Sequence, residues 1–518
     1  MTTGTSPAPD GDGHRRDGGP GAERRGGGAK REAGDRPDLP AWLGWTLVAL
    51  ITIGVLATWA PSLTAALGDN HEGRILARHA LNVANAQADG LAASGWLSDW
   101  SPYVGDGGEQ TSYAHHPPLL NLGYYLAGQV LPVPLDVAMR TFAYLIGVAM
   151  LPVGAAVLRR LEVRWTPTVL ATVAVAVTPL FWTYGRLHGN VTLLLLMVLA
   201  VVRVAEPRRI GRAELAAAAV ASVVAIVAGY LGMATAALLG LWLLRTRGLD
   251  AGTITGGIAR AVGAAISLGY VIGTTGAGRV GEQVQMRTGG GDFTAREFVE
   301  RIAEWATTLL AWWWRWLLLP AALVAGVLHR PTRALTIVFG LVTIGYVVGL
   351  PNGSFIHDYW IFPVLLPVWT GVAALGSFAA ARWPSAELLA GAGAVAVLLV
   401  LGAWHGFSHD VPARQFSEPE AAGELVRDVP PADGQSQAWR TGGIAAPRWH
   451  SYYWDLPPAL VTADAVDDVP ADELVLVRLD GRPGWLGDPE QVRDVAVETR
   501  GDFGLLTGDQ LAQLAGAD

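Results

Sequence analysis

Cysteine is absent from the 518 residues. That excludes a disulfide, a thiolate metal site and a cysteine nucleophile, and it leaves the redox compartment unmarked. Charge is scarce as well, at 16% of residues against 51% hydrophobic. A chain this apolar reads as a polytopic membrane protein with soluble attachments. Lysine, asparagine and isoleucine are thin beside alanine, glycine and arginine, the coding bias of a high-GC bacterial genome. There is no P-loop and no GxGxxG after a strand, so nothing indicates a nucleotide site, and no nucleic-acid partner is expected.

What is present is a series of long apolar runs punctuated by small polar clusters. Residues 1–40 hold seven Arg/Lys and seven Asp/Glu with almost nothing to bury, which predicts a disordered cytoplasmic tail. They lack the short apolar core and cleavage site of a signal peptide, so Ala41–Leu67 reads as a retained anchor. That run is uncharged and longer than the roughly 20 residues a bilayer crossing needs. A loop over 68–118 is expected next, and Leu119–Leu131 reads as an interfacial helix. Crossings are then expected at Asp136–Leu158, Thr166–Tyr184 and Val191–Val202. Leu215–Leu244 is thirty uncharged residues with basic residues at both ends. Two short passes turning at Gly229-Tyr230-Leu231-Gly232 keep both ends on one side. Further crossings are expected at Ala261–Gly278, roughly 305–328, Ala334–Ile356, Tyr359–Ala381 and Leu388–Trp404, with a polar loop over 279–304.

The expected fold class is thus an all-α polytopic membrane protein of about 11 spans over 41–404, with a small α/β domain over 405–518. The arginine-rich short loops place the N-terminus inside and the C-terminal domain outside a plasma membrane. That domain carries twenty acidic and eight basic residues, and Glu473–Leu479 reads as a buried strand.

Counted through these spans, four polar clusters fall on one membrane face. Gly68-Asp69-Asn70-His71-Glu72-Gly73-Arg74 is the first, and a carboxylate there can deprotonate a hydroxyl, help worth about 10²–10⁴ in rate. A solvated loop start explains Asp69 and Glu72 as well. His115-His116-Pro117-Pro118 precedes an apolar helix; the prolines suit a helix start, and the paired imidazoles suit a phosphate or sugar better than a metal. Arg186 and His188 lie in a short turn between spans, where ionisable groups are functional candidates. The arginine fork matches phosphate oxygens, with snorkelling to headgroups as the plain alternative. Arg140 can pair with Asp136 one turn before it. His357-Asp358-Tyr359-Trp360 is more than an aromatic belt requires.

The long first span, the acidic motif, Tyr113-Ala114-His115-His116-Pro117-Pro118-Leu119 and Pro179…Tyr184-Gly185-Arg186 together resemble the GT-C glycosyltransferases. The likeness is greatest to protein O-mannosyltransferases and lipid A aminoarabinose transferases. His357-Asp358-Tyr359-Trp360, with Pro363 and Pro367, is similar to their His-x-Tyr-Tyr stretch. The resemblance covers about residues 41–380. It implies an inverting transferase that moves a sugar from a polyprenyl-phosphate donor to a lipid, glycan or protein acceptor on the extracytoplasmic face. It implies a base at Glu72, since His71-Glu72-Gly73 stands where Asp-Glu-Gly is expected, with Asp69 one turn away as the alternative. Arg74, His115, His116, Arg140, Arg186, His188, His357, Asp358 and Tyr359 are the expected substrate-binding residues. No cofactor is required, although carboxylates could hold a divalent cation. A multi-span transporter and a non-catalytic protein retaining this scaffold are the rival readings.

Overall fold

The computed structural model describes residues 38–68, 70–99, 117–206, 210–289, 291, 293–310, 318–383, 391–393, 396, 400, 420–442, 444, 448–480, 483–486 and 488–516. Leu39–Asp518 forms a unit of its own. Four of its helical segments are long and apolar enough to cross a membrane: Ala41–Ser62, Leu135–Arg160, Ala251–Thr275 and Asp358–Arg382. Shorter apolar helices cover Trp165–Ala176, Gly189–Ala205 and Leu319–Leu328.

The first span is α1 (Ala41–Trp59), extended by a 3-10 turn over Ala60–Ser62. The expected loop at 68–118 instead opens with a 19-residue helix, α2 (His71–Asp89), capped by Asn70. The expected interfacial helix is α3 (Leu119–Val130). The next crossing is built from α4 (Leu135–Val148) and α5 (Met150–Arg160). The expected crossing at Thr166–Tyr184 is not one helix. It breaks after α6 (Trp165–Ala176) and restarts as α7 (Pro179–Tyr184), because proline supplies no N–H and is at home at a helix start.

Beyond α8 (Gly189–Ala205), α9 (Arg212–Ala228) and α10 (Tyr230–Arg247) break at Gly229, within the turn expected at Gly229-Tyr230-Leu231-Gly232, and pack on each other. α11 (Ala251–Thr275) starts ten residues earlier than the expected Ala261, so Arg260 lies within it. The expected polar loop over 279–304 is mostly two helices, α12 (Ala277–Thr288) and α13 (Ala295–Leu309). Thr294 and Glu297 form a capping box at the start of α13, a signal that polarity alone concealed. α14 (Leu319–Leu328), α15 (Arg330–Val347), α16 (Pro351–Ile356), a 3-10 helix over Asp358–Val364 and α17 (Leu365–Arg382) complete the membrane part. α17 packs against α6, α14 and α15. Most of the expected crossing at Leu388–Trp404 lies outside the described residues.

The C-terminal region is a five-stranded sheet in the order β2-β1-β3-β5-β4, with β1 (Ala438–Arg440), β2 (Pro458–Leu460), β3 (Leu474–Arg478), β4 (Glu498–Arg500) and β5 (Phe503–Thr507). β1 runs parallel to β2 and β3, while β5 runs antiparallel to β3 and β4. Side chains alternate along β3, as strand geometry dictates. Leu474 and Leu476 join the apolar core shared with α2 and the spans, whereas Val475 and Val477 join a separate core on the other side. One face of the sheet, together with the helices Ala421–Asp428 and Arg448–Trp454, is therefore packed toward the helical part.

Candidate functional site

The site is built where α1 ends and α2 begins. Asn70 accepts the Gly73 N–H at 2.6 Å, which sets the first turn of α2 and directs Glu72 inward. A carboxylate at a helix N-terminus is favoured by the exposed N–H groups there. A Cβ at position 73 would sit 2.4 Å from the Gly68 nitrogen, so the chain folds back this tightly only over glycine. Glu72 is 0% exposed.

A charged group at that depth must be paired, and Glu72 is paired three times. Tyr144 of α4 donates its hydroxyl to Oε1 at 2.9 Å. Arg140, one turn earlier on α4, places Nε 3.5 Å from Oε1. Arg186, after α7, places Nη1 3.7 Å from Oε2. The expected Arg140–Asp136 pair is not formed. Arg140 turns under the loop instead and donates to the carbonyls of Ala65 and Ala66. Asp136 accepts from the Tyr453 hydroxyl at 3.1 Å and from the Val137 N–H.

Arg186 is fully engaged in this position. Its Nη1 donates to Ser62 Oγ at 3.0 Å and Tyr144 Oη at 3.3 Å, and Nη2 and Nε donate to the Trp182 carbonyl. Its guanidinium centre lies 5.5 Å from both the Trp59 and the Tyr144 rings, within cation–π range. α4 approaches the turn closely enough that a Cβ on Gly147 would lie 2.2 Å from the Gly185 carbonyl oxygen.

Next to this buried cluster lies an aromatic and cationic rim. His71 stands edge-on to Tyr184 and Tyr359, with ring centres 5.5 and 5.8 Å apart. Tyr184 is hydrogen-bonded to Asp358. His188 stacks on Phe362 at 4.4 Å, and His357 stacks on Tyr359 at 5.0 Å. Burial holds the His71 imidazole below its ordinary value, with Arg74 and Arg78 pushing the same way and Asp358 opposing them. Burial, aided by Arg287, brings His357 down to about 4. Both rings are therefore neutral near pH 7. Arg287 itself lies over the Trp360 ring at 5.2 Å.

Of the residues expected from sequence, Glu72, Arg140 and Arg186 meet in the buried cluster, while Arg74, His188, His357, Asp358 and Tyr359 gather at the rim. Asp69, His115 and His116 lie outside the described residues. Sequence reading missed Ser62, Trp59, Tyr144, Arg78 and Arg287, and named His71 and Tyr184 only as members of their motifs, without a site role. Tyr144 had a usable signal, since it comes four residues after Arg140 and so shares its helix face. Among the described residues no group of three or more His, Asp or Glu side chains is placed to hold a metal ion.

The C-terminal region reaches the same loop. Tyr453 accepts the Leu67 N–H at 2.7 Å while donating to Asp136, and Arg427 donates to the Thr64 carbonyl at 3.1 Å. The segment that carries Glu72 is thus held from the spans by Arg140 and from the sheet side by Tyr453.

Compared with known proteins, the chain matches no family model and no curated protein. It does match solved structures. ArnT from Cupriavidus metallidurans bound to undecaprenyl phosphate superposes with a TM-score of 0.55 at 15% identity, over 92% of this chain and 100% of that one. ArnT from the same organism in the apo state gives 0.52 at 15% identity, with the same coverage. The chain therefore has a GT-C membrane fold, helical with a small C-terminal sheet region.

Proposed function

We propose that this GT-C-fold protein is a membrane glycosyltransferase that moves a sugar from a polyprenyl-phosphate donor to an acceptor hydroxyl at the face bearing α2. The observation that carries the reading is the buried Glu72 cluster bordered by the cationic, aromatic rim. The undecaprenyl phosphate bound by the structurally similar ArnT supports the donor class.

In an inverting displacement the acceptor oxygen attacks the anomeric carbon, the bond to the phosphate oxygen breaks, and the acceptor proton passes to a base. The leaving group is already a phosphate. Guanidinium groups can carry its charge, so the reaction does not require a metal. Arg74, Arg78 and Arg287 suit that contact, because their charges converge on His71 and His357 at the rim. The neutral imidazoles and the Tyr359 ring supply hydrogen bonds and a stacking surface for the sugar. Arg186 sits deeper, and its field adds to theirs while Glu72 and Tyr144 fix its position.

Glu72 lies between two guanidiniums and the Tyr144 hydroxyl with no exposure. A general base must come within about 3 Å of the hydroxyl it deprotonates, and an acceptor could do so here only by displacing those partners. This supports a positioning role for Glu72 and favours Asp69, the alternative acid of the motif, as the group that takes the proton. The acceptor would approach from the side of the C-terminal domain, which rests on the same loop.

The test is reconstitution of the full chain with a radiolabelled polyprenyl-phosphate sugar and a mixture of envelope acceptors. The proposal expects release of free polyprenyl phosphate in step with label on an acceptor. Label that stays on the donor under all acceptors, or crosses the bilayer still attached, would overturn it in favour of a non-catalytic or a transport role.

A further inference from the structure

Arg260 occupies the third turn of α11, nine residues past its start at Ala251. At about 1.5 Å per residue that is about 13 Å along the helix, inside a segment long and apolar enough to cross a membrane. The far end of α11 leads into α12, whose Arg287 lies over Trp360 at the rim beside Glu72, while Tyr270 donates to the Trp96 carbonyl at 3.0 Å. The near end lies among Arg247, Asp250 and Glu206, which bind one another. Side chains on a helix lean toward its N-terminus, and Arg260 does so. A Cβ on Gly256, one turn below, would lie 3.1 Å from its Nη1, and a Cβ on Gly240 of the neighbouring α10 would lie 3.3 Å away. Two glycines thus form a notch that holds the guanidinium.

Several other buried or half-buried arginines of the spans have acidic partners within the fold. Arg140 and Arg186 have Glu72, Arg160 has Glu206, and Arg247 has Asp250. Among the described residues Arg260 has no hydrogen bond and no ion pair, and its Nε is buried without an acceptor. The surrounding surface of α10 and α11 is apolar and exposed, including Leu241, Leu244, Ile254 and Ile258. A guanidinium in hydrocarbon surroundings needs an anion, and its planar fork matches phosphate oxygens. The anion that reaches such a place from the side is carried by a lipid.

We propose that Arg260, in the notch between Gly240 and Gly256, binds the phosphate of an anionic membrane lipid in the leaflet opposite the Glu72 site. The ligand chemistry is a lipid-borne phosphate, either the diester of a glycerophospholipid or the monoester of a polyprenyl phosphate. The site is independent of the transferase reading and is tested without reference to activity.

The experiment is native mass spectrometry of the full chain released from nanodiscs of phosphatidylcholine. Phosphatidylglycerol is added in one arm and polyprenyl phosphate in the other. The wild type should retain one phosphate lipid per protein, and the arm in which it does so identifies the source. Arg260→Gln should retain none at that site. Gly240→Val keeps the charge and fills the notch, and should show the same loss. This second variant decides the matter if Arg260→Gln fails to fold. Equal lipid retention in the wild type and in whichever variant folds would overturn the proposal.

Discussion

The two ends of the membrane part treat buried charge in opposite ways. Near α2, Glu72 and two arginines are sealed among Tyr144, Ser62 and backbone carbonyls until every charge has a partner. In α11, Arg260 has none among the described residues and is cradled only by glycines. A partnered cluster can be rigid before any ligand arrives, which is what a positioning scaffold needs. An unpartnered charge in an apolar span is instead completed from outside. The difference separates a site built for geometry from one built for occupancy.

Breaking the partnered end should have the largest effect. Arg140→Leu would strip Glu72 of one guanidinium and free the Ala65 and Ala66 carbonyls, and loss of one member of a buried pair costs about 3–5 kcal/mol. A drop in thermal midpoint and in folded yield is expected; wild-type stability would show that Arg186 alone satisfies Glu72.

Arg186→Lys comes next. A lysine keeps the charge but cannot reach Ser62, Tyr144 and the Trp182 carbonyl together, so misplacement should lower transfer by about 10²-fold with folding retained. Unchanged turnover would reduce Arg186 to a snorkelling anchor.

Tyr453→Phe tests the hold from the sheet side. It leaves the Leu67 N–H and Asp136 each short of a partner, for about 1–3 kcal/mol of lost stability. If the C-terminal region positions the loop, the variant should lose kcat more than donor affinity.

The smallest effect near neutral pH concerns His450, which is fully buried on the helix Arg448–Trp454. Burial, with Arg440 adding to it, holds its imidazole down to about 3. The unfolded chain therefore takes up a proton near pH 6.5 that the folded chain refuses. The stabilising contribution is complete above that pH and is lost as pH falls toward 3. Melting temperature should fall over that window, and His450→Phe should flatten the slope; an identical slope in the variant would remove His450 from the account.

Much of the scaffold was legible in the sequence because it is written in uninterrupted local signals. Ala41–Leu67 announces the first span by lacking charge, Gly229 marks the break between α9 and α10, and Glu473–Leu479 reads as a strand through its branched residues. The site was legible only where charge interrupts apolar surroundings, as at Arg140 and Arg186. Their partners were not. Glu72 reaches Arg140 across 68 positions while Asp136 stands one turn away, and only the folded loop decides between the two. Tyr144 and Ser62 were hidden because hydroxyls pass unnoticed in apolar runs. α12 and α13 were hidden because two polar helices resemble a polar loop in composition.

The proposal turns on Glu72 as a positioning group and Asp69 as the proton acceptor. The most direct measurement is donor affinity alongside single-turnover transfer for Glu72→Gln and Asp69→Asn in the reconstituted protein. Asp69→Asn should bind donor like the wild type and transfer almost nothing. Glu72→Gln should lose both, because Arg140 and Arg186 are released together. Full donor binding without transfer in Glu72→Gln, together with an active Asp69→Asn, would contradict the account and make Glu72 the base.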